Sequence, residues 1–67
     1  MSGLVPVSLD AQIDEVQREC ERRRDVYGRL ARHGQMNQRS AWRRIDVMAA
    51  VLDTLRNLRA LQEIDRA

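Results

Sequence analysis

From Leu9 to Leu30 the chain sets Leu9, Ile13, Val16, Cys20, Arg23, Tyr27 and Leu30 at alternating steps of four and three residues. That repeat is the seam of an α-helix packed along its length against another helix, because a 3.5-residue period keeps one stripe facing a partner over several turns. Only Arg23 interrupts the apolar run. Ser8 is a suitable N-cap, and Asp10, Asp14 and Glu15 put negative charge in the early turns, where the helix dipole favours it. Pro6 bars a much earlier start. Gly34 can adopt the left-handed conformation that ends a helix, with Arg32 and His33 suited to the exposed carbonyls of its last turn. The first helix is therefore predicted over residues 9–33.

Asn37 reads as the cap of a second helix, predicted over residues 38–64, with Met36 placed to fold back on Ala41 as a hydrophobic staple. A connection of about three residues makes the two helices antiparallel, an αα-hairpin. Folding about residues 35 and 36 sets Tyr27 near Ile45, Cys20 near Val51 and Leu52, Val16 near Leu55, and Ile13 near Leu58. The second helix carries two heptad tracks, one through Ala41, Ile45, Met48, Leu52 and Leu55, the other through Val47, Val51, Thr54, Leu58 and Leu61. Together they span an arc of roughly 160°, wider than one neighbouring helix covers. The expected fold is thus all-α, a two-helix hairpin that dimerises into a four-helix bundle through Val47, Val51, Leu58 and Leu61. Docking of the surplus face on a different partner is the alternative. Residues 1–7 are expected to form a disordered arm and residues 8–67 a single helical-hairpin domain.

Size points the same way. A chain of 67 residues buries only about 60% of the surface its unfolded form exposes. Its single cysteine excludes an intrachain disulfide, and one thiol with one histidine cannot build a structural zinc site. Self-association is the remaining source of core. The first residues lack the basic and apolar regions of a signal peptide, and no segment approaches the roughly 20 apolar residues of a membrane span. A cytoplasmic protein with no membrane partner is expected.

Few residues suggest catalysis. Cys20 and His33 lie thirteen residues apart on one helix, about 20 Å along its axis, too far for a nucleophile and its base. Asp46, Asp53 and Asn57 share a face, but the two carboxylates are about 10 Å apart along the helix, too far for one small cation. Pairing across the hairpin, with Arg24 for example, is the expected use of these acids. No enzyme activity, cofactor or metal is expected. Arg23 in the seam either packs its stem and lifts its head to solvent, or pairs with Asp46 or an acid of a second subunit to fix the register. Gly28 inside the first helix implies a bend or close packing against Trp42.

The formal charge of +2 conceals a polarised chain. Residues 1–17 carry three acids and no base, residues 18–44 carry nine arginines against three acids, and residues 45–67 carry three arginines against four acids. All twelve basic residues are arginine, as a GC-rich coding genome would also produce. In the hairpin, Arg29, Arg32, Arg39, Arg43 and Arg44 gather at the turn end beside Trp42 and Tyr27. Arg22, Arg29, Arg32, Arg39, Trp42 and Arg43 are the candidate contact residues, because guanidinium both stacks and binds bidentately, on phosphates and on protein surfaces alike. Acids at the open end and a turn unlike that of a helix-turn-helix weigh against nucleic acid; a dimer with two basic tips weighs for it.

The run V-Y-G-R-L-A-R-H-G-Q-M-N-Q, followed by I-D-V-M-A-A-V-L-D-T-L, resembles short uncharacterised phage and prophage proteins of GC-rich bacteria. Their pattern reads approximately R-R-x-V-Y-x-x-x-V-x-x-G-x-M-T-Q, then I-x-x-M-x-A-V-L-x-T-L. The resemblance spans Arg23 to Leu55, with Asn37 in place of a threonine cap and Gly28 where many relatives have proline. It implies an accessory phage protein, with no chemistry attached. The expected function is accordingly non-catalytic: binding and inhibiting or modulating a host protein, such as a defence factor, through the basic hairpin surface. The alternative is a dimeric nucleic-acid-binding regulator.

Overall fold

The computed structural model describes residues 6–66, and within them the chain forms two α-helices, α1 (Leu9–Arg32) and α2 (Gln38–Arg66), packed as an antiparallel hairpin. The arm expected at residues 1–7 falls mostly outside the described residues.

The helix ends follow from side chains acting on orphan backbone groups. At the start of α1, the Ser8 hydroxyl accepts the Ala11 N–H at 3.0 Å, and the Gln12 side-chain amide donates to the Val7 carbonyl at 3.0 Å. At its end, the N–H of Gln35 donates to Leu30 at 2.9 Å and that of Gly34 to Ala31 at 3.2 Å, with Gly34 at φ 69°. These two bonds make a Schellman motif, which requires a left-handed residue and so explains the glycine. His33 is therefore the C-cap, one residue beyond the last helical position. Asn37 caps α2, its side-chain oxygen accepting the Ser40 N–H at 3.1 Å. Met36 before it is half-buried and Ala41 fully buried, as a staple requires. Only residues 34–36 separate the two caps. The second helix runs to Arg66, two residues past its predicted end.

The core sits in the seam. Ile13, Cys20 and Leu52 form a buried cluster, with Leu9, Val16, Met48 and Leu55 packed on it, while Ala41 and Ile45 fill the turn end. Val51 and Leu58, placed by the sequence opposite Cys20 and Ile13, stand outside this cluster and are exposed. A single antiparallel neighbour covers only the track through Ala41, Ile45, Leu52 and Leu55, and turns the other track away.

Polar contacts lock the same register. Arg59 Nε meets Asp10 Oδ1 at 2.7 Å near the open end, and Arg56 donates to the Gln17 side chain at 3.2 Å. Toward the turn, the Arg44 guanidinium lies 5.9 Å from the Tyr27 ring centroid, a cation–π distance. No ion pair joins Arg24 to Asp46 among the described residues; Asp10, not Asp46, supplies the cross-hairpin carboxylate.

Candidate interaction surface

The reactive side chains are placed apart. Cys20 is 2% exposed and sits in the core as a small apolar filler, while His33 caps the far end of α1. Among the described residues, no three His, Cys, Asp or Glu side chains are arranged to hold a metal ion. No helix of the described residues is long and apolar enough to cross a membrane.

Arg23 is half-buried and paired in a way the sequence did not indicate. Its Nε donates to Glu19 Oε2 at 2.9 Å, one turn back on α1, and its Nη1 donates across the hairpin to the Arg44 backbone carbonyl at 3.0 Å. The partner carboxylate is therefore Glu19, and neither Asp46 nor a second subunit is needed to satisfy the guanidinium. The Arg23 hydrogen bond is the largest influence holding the Glu19 carboxyl below its ordinary pKa, with the neighbouring Arg22 charge acting in the same direction.

The six candidate contact residues are all exposed, but they belong to two faces. On α2, Arg39, Trp42 and Arg43 gather with Gln38 and Asp46 around a shallow, open depression of about 470 Å3. Steps of three and four residues put Trp42 and Arg43 each beside Arg39 on the helix surface. Trp42 is 47% exposed there. Among the described residues, no carboxylate lies within ion-pair distance of Arg39 or Arg43.

On α1, Arg22 lies two residues beyond Cys20, about 200° round the helix, and Arg29 is one heptad further on, so both face away from the seam. Each is tethered to an acid of its own helix, Arg22 to Glu19 at 3.5 Å and Arg29 to Asp25 at 3.3 Å. Arg32 folds back over Gly28, its Nη1 3.5 Å from where a Cβ on that glycine would stand. No Trp42 atom lies within 4 Å of that Cβ position, so the indole does not exclude a side chain there.

A second surface is apolar. Val47, Val51, Leu58 and Leu61, the expected interface residues, remain 43%, 40%, 45% and 63% exposed along one row of α2. The row borders a groove of about 640 Å3 between the helices, floored by Val7, Ala11, Val16, Val51 and Leu55 and edged by Gln12, Asp14 and the paired Glu15 and Arg18. Val7 and Ile64 add exposed apolar surface that heptad tracking did not include. Nor did tracking find the Asp10–Arg59 clip, for which the only signal was opposite charge at positions the folded register brings together. No protein-family model matches the chain, and no curated protein or solved structure matches it.

Proposed function

We propose that this chain is a small non-catalytic binding protein that works as a homodimer and acts by occupying the surface of another protein. The observation that carries the reading is the α2 cluster, a half-exposed Trp42 flanked by Arg39 and Arg43, neither of them in an ion pair among the described residues. Tryptophan and arginine are the side chains that most often supply the energy of a protein interface, the indole through buried area and the guanidinium through directed hydrogen bonds. The resemblance to phage and prophage accessory proteins supplies the context, a partner among host proteins in the host cytoplasm whose activity is blocked or modulated by occlusion. Self-association is supported by the uncovered row Val47, Val51, Leu58 and Leu61. It buries what one hairpin leaves open.

The same cluster would suit a nucleic acid, the arginines taking phosphates and the indole stacking on a base. One comparison separates the two. Tagged wild type and a triple variant, Arg39→Glu, Trp42→Ala and Arg43→Glu, are used to capture partners from host lysate with and without nuclease. The expected result is a protein retained after nuclease by wild type and lost by the variant. Retention by both chains overturns the assignment to this cluster. Loss of all captured protein on nuclease treatment favours nucleic acid, and a gel shift that weakens steeply with salt would then follow.

A further inference from the structure

We infer that the partner presents an acidic segment to the α2 cluster, two carboxylates about one helical turn apart with an apolar side chain beside them. This rests on the protein-binding reading above and adds the chemistry that the partner must carry. The two helices treat their dipoles differently. α1 follows the favoured order, with Asp10 in its first turn and Arg29 and Arg32 in its last. α2 reverses it, for its first turn holds Arg39 and no acid. A cation there adds to the positive end of the dipole, at a cost to the helix that an incoming anion offsets. Local conflicts of this kind concentrate where a chain meets a ligand.

Arg39 and Arg43 stand one turn apart, about 6 Å along the axis, and neither is in an ion pair among the described residues. That spacing matches carboxylates at i and i+4 of a helix, or at alternate positions of an extended strand, each able to take a bidentate contact. Beside them the half-exposed Trp42 offers apolar surface. The rest of the depression favours a protein segment over a nucleic acid. Asp46 lines it too, and would repel a continuous run of phosphates while matching a segment that carries a base or a backbone N–H opposite it. Gln38 brings an amide that both donates and accepts, as a peptide group requires, whereas a phosphate only accepts. Nucleic-acid affinity also accumulates over many phosphate contacts. The neighbouring Arg44 lies over Tyr27, and Arg22 and Arg29 are paired on another face.

Trp42 is the only tryptophan of the chain, so its fluorescence reads this cluster directly. Wild type is titrated with a capped helix-forming peptide that carries glutamates at i and i+4 and leucine at i+3. The same peptide with glutamines or lysines in place of the glutamates, and a single-stranded oligonucleotide, complete the set. The expected result is a saturable blue shift of Trp42 emission with the glutamate peptide, binding weaker by about tenfold or more with the glutamine peptide, and no binding of the lysine peptide. The double variant Arg39→Glu, Arg43→Glu should exchange these preferences, losing the glutamate peptide and taking the lysine peptide, a rescue that misfolding could not give. No saturable response to the glutamate peptide, or an equal one to the glutamine peptide, overturns the acidic chemistry. If capture from lysate still depends on Arg39, Trp42 and Arg43, the protein-binding reading then stands without it; if that capture fails as well, both fall. Tighter binding of the oligonucleotide than of the glutamate peptide would give the cluster to nucleic acid instead.

Discussion

Gly28 is the position where sequence and structure give the sharpest quantitative expectation. It lies inside the 24-residue α1, and its φ is not in the positive range that would favour glycine, which among the described residues only Gly34 occupies. A Cβ built there meets one atom within 4 Å, Arg32 Nη1 at 3.5 Å, an ordinary contact with the tip of a flexible side chain. No backbone or packed side chain obstructs it. Gly28→Ala should therefore recover the helix-interior difference between the two residues, about 1 kcal/mol, partly by narrowing the unfolded ensemble. For a domain of this size that corresponds to a rise in Tm of about 4–8 °C. Thermal unfolding followed by far-ultraviolet circular dichroism, with both proteins at the same concentration, measures it. An unchanged or lowered Tm would refute the reasoning, because it would mean that some close approach absent from the single hairpin needs the missing methyl.

Three further outcomes follow from named contacts. Leu52 is 8% exposed at the centre of the core cluster, so Leu52→Ala should cost about 2–5 kcal/mol in a urea titration, enough to unfold a marginal chain. Leu58→Asp changes a side chain that is exposed within the hairpin; sedimentation should shift from dimer toward monomer, and the unfolding midpoint should fall with it. Glu19 has its pKa lowered, chiefly by Arg23, so its pairing stabilises the fold above the ordinary carboxylate pKa of 4.5 and that contribution is lost as pH falls through the lower folded value. Arg23→Met should move the Glu19 carboxyl titration, read by NMR, upward toward its ordinary value and remove that part of the acid dependence.

The hairpin was legible because its determinants are local. A cap residue, a left-handed glycine and a 3.5-residue stripe each act within a turn or two of chain, and Ser8, Gly34, Asn37 and the seam from Leu9 to Leu30 declare themselves without knowledge of the partner helix. What was not legible depended on rotation about the helix axis. The width of the α2 arc indicated that some residues would remain uncovered, yet whether Val51 and Leu58 turn inward is decided by the packing angle, to which a heptad track is blind. Arg23 failed for a related reason. A long side chain in a seam can reach several carboxylates and carbonyls, and the choice of Glu19 with the Arg44 carbonyl follows from the final separation of the helices. The basic residues divided between two faces because closeness in sequence around a turn does not fix facing: Arg22 and Arg29 point off the back of α1, while Arg39, Trp42 and Arg43 share a face of α2.

The size of the core then links folding to assembly. Among the described residues the buried apolar side chains are Ile13, Cys20, Ala41, Ile45 and Leu52, of which only Ile13, Ile45 and Leu52 are large, a small core for two long helices. The ion pairs add little to it. Arg18–Glu15, Arg29–Asp25 and Arg59–Asp10 are all solvent-exposed, where water and salt screen the attraction. Val47, Val51, Leu58 and Leu61 hold the apolar surface that remains, and they lie outside the single hairpin's core. If a second copy covers them, unfolding releases two chains, and the midpoint must rise with protein concentration by mass action. Thermal melts over a hundredfold range of concentration should therefore show a rising Tm, and Leu58→Asp should lower the midpoint and flatten that dependence together. A wild-type Tm independent of concentration would show that the small core suffices alone, and the exposed row on α2 would then have to be explained without self-association.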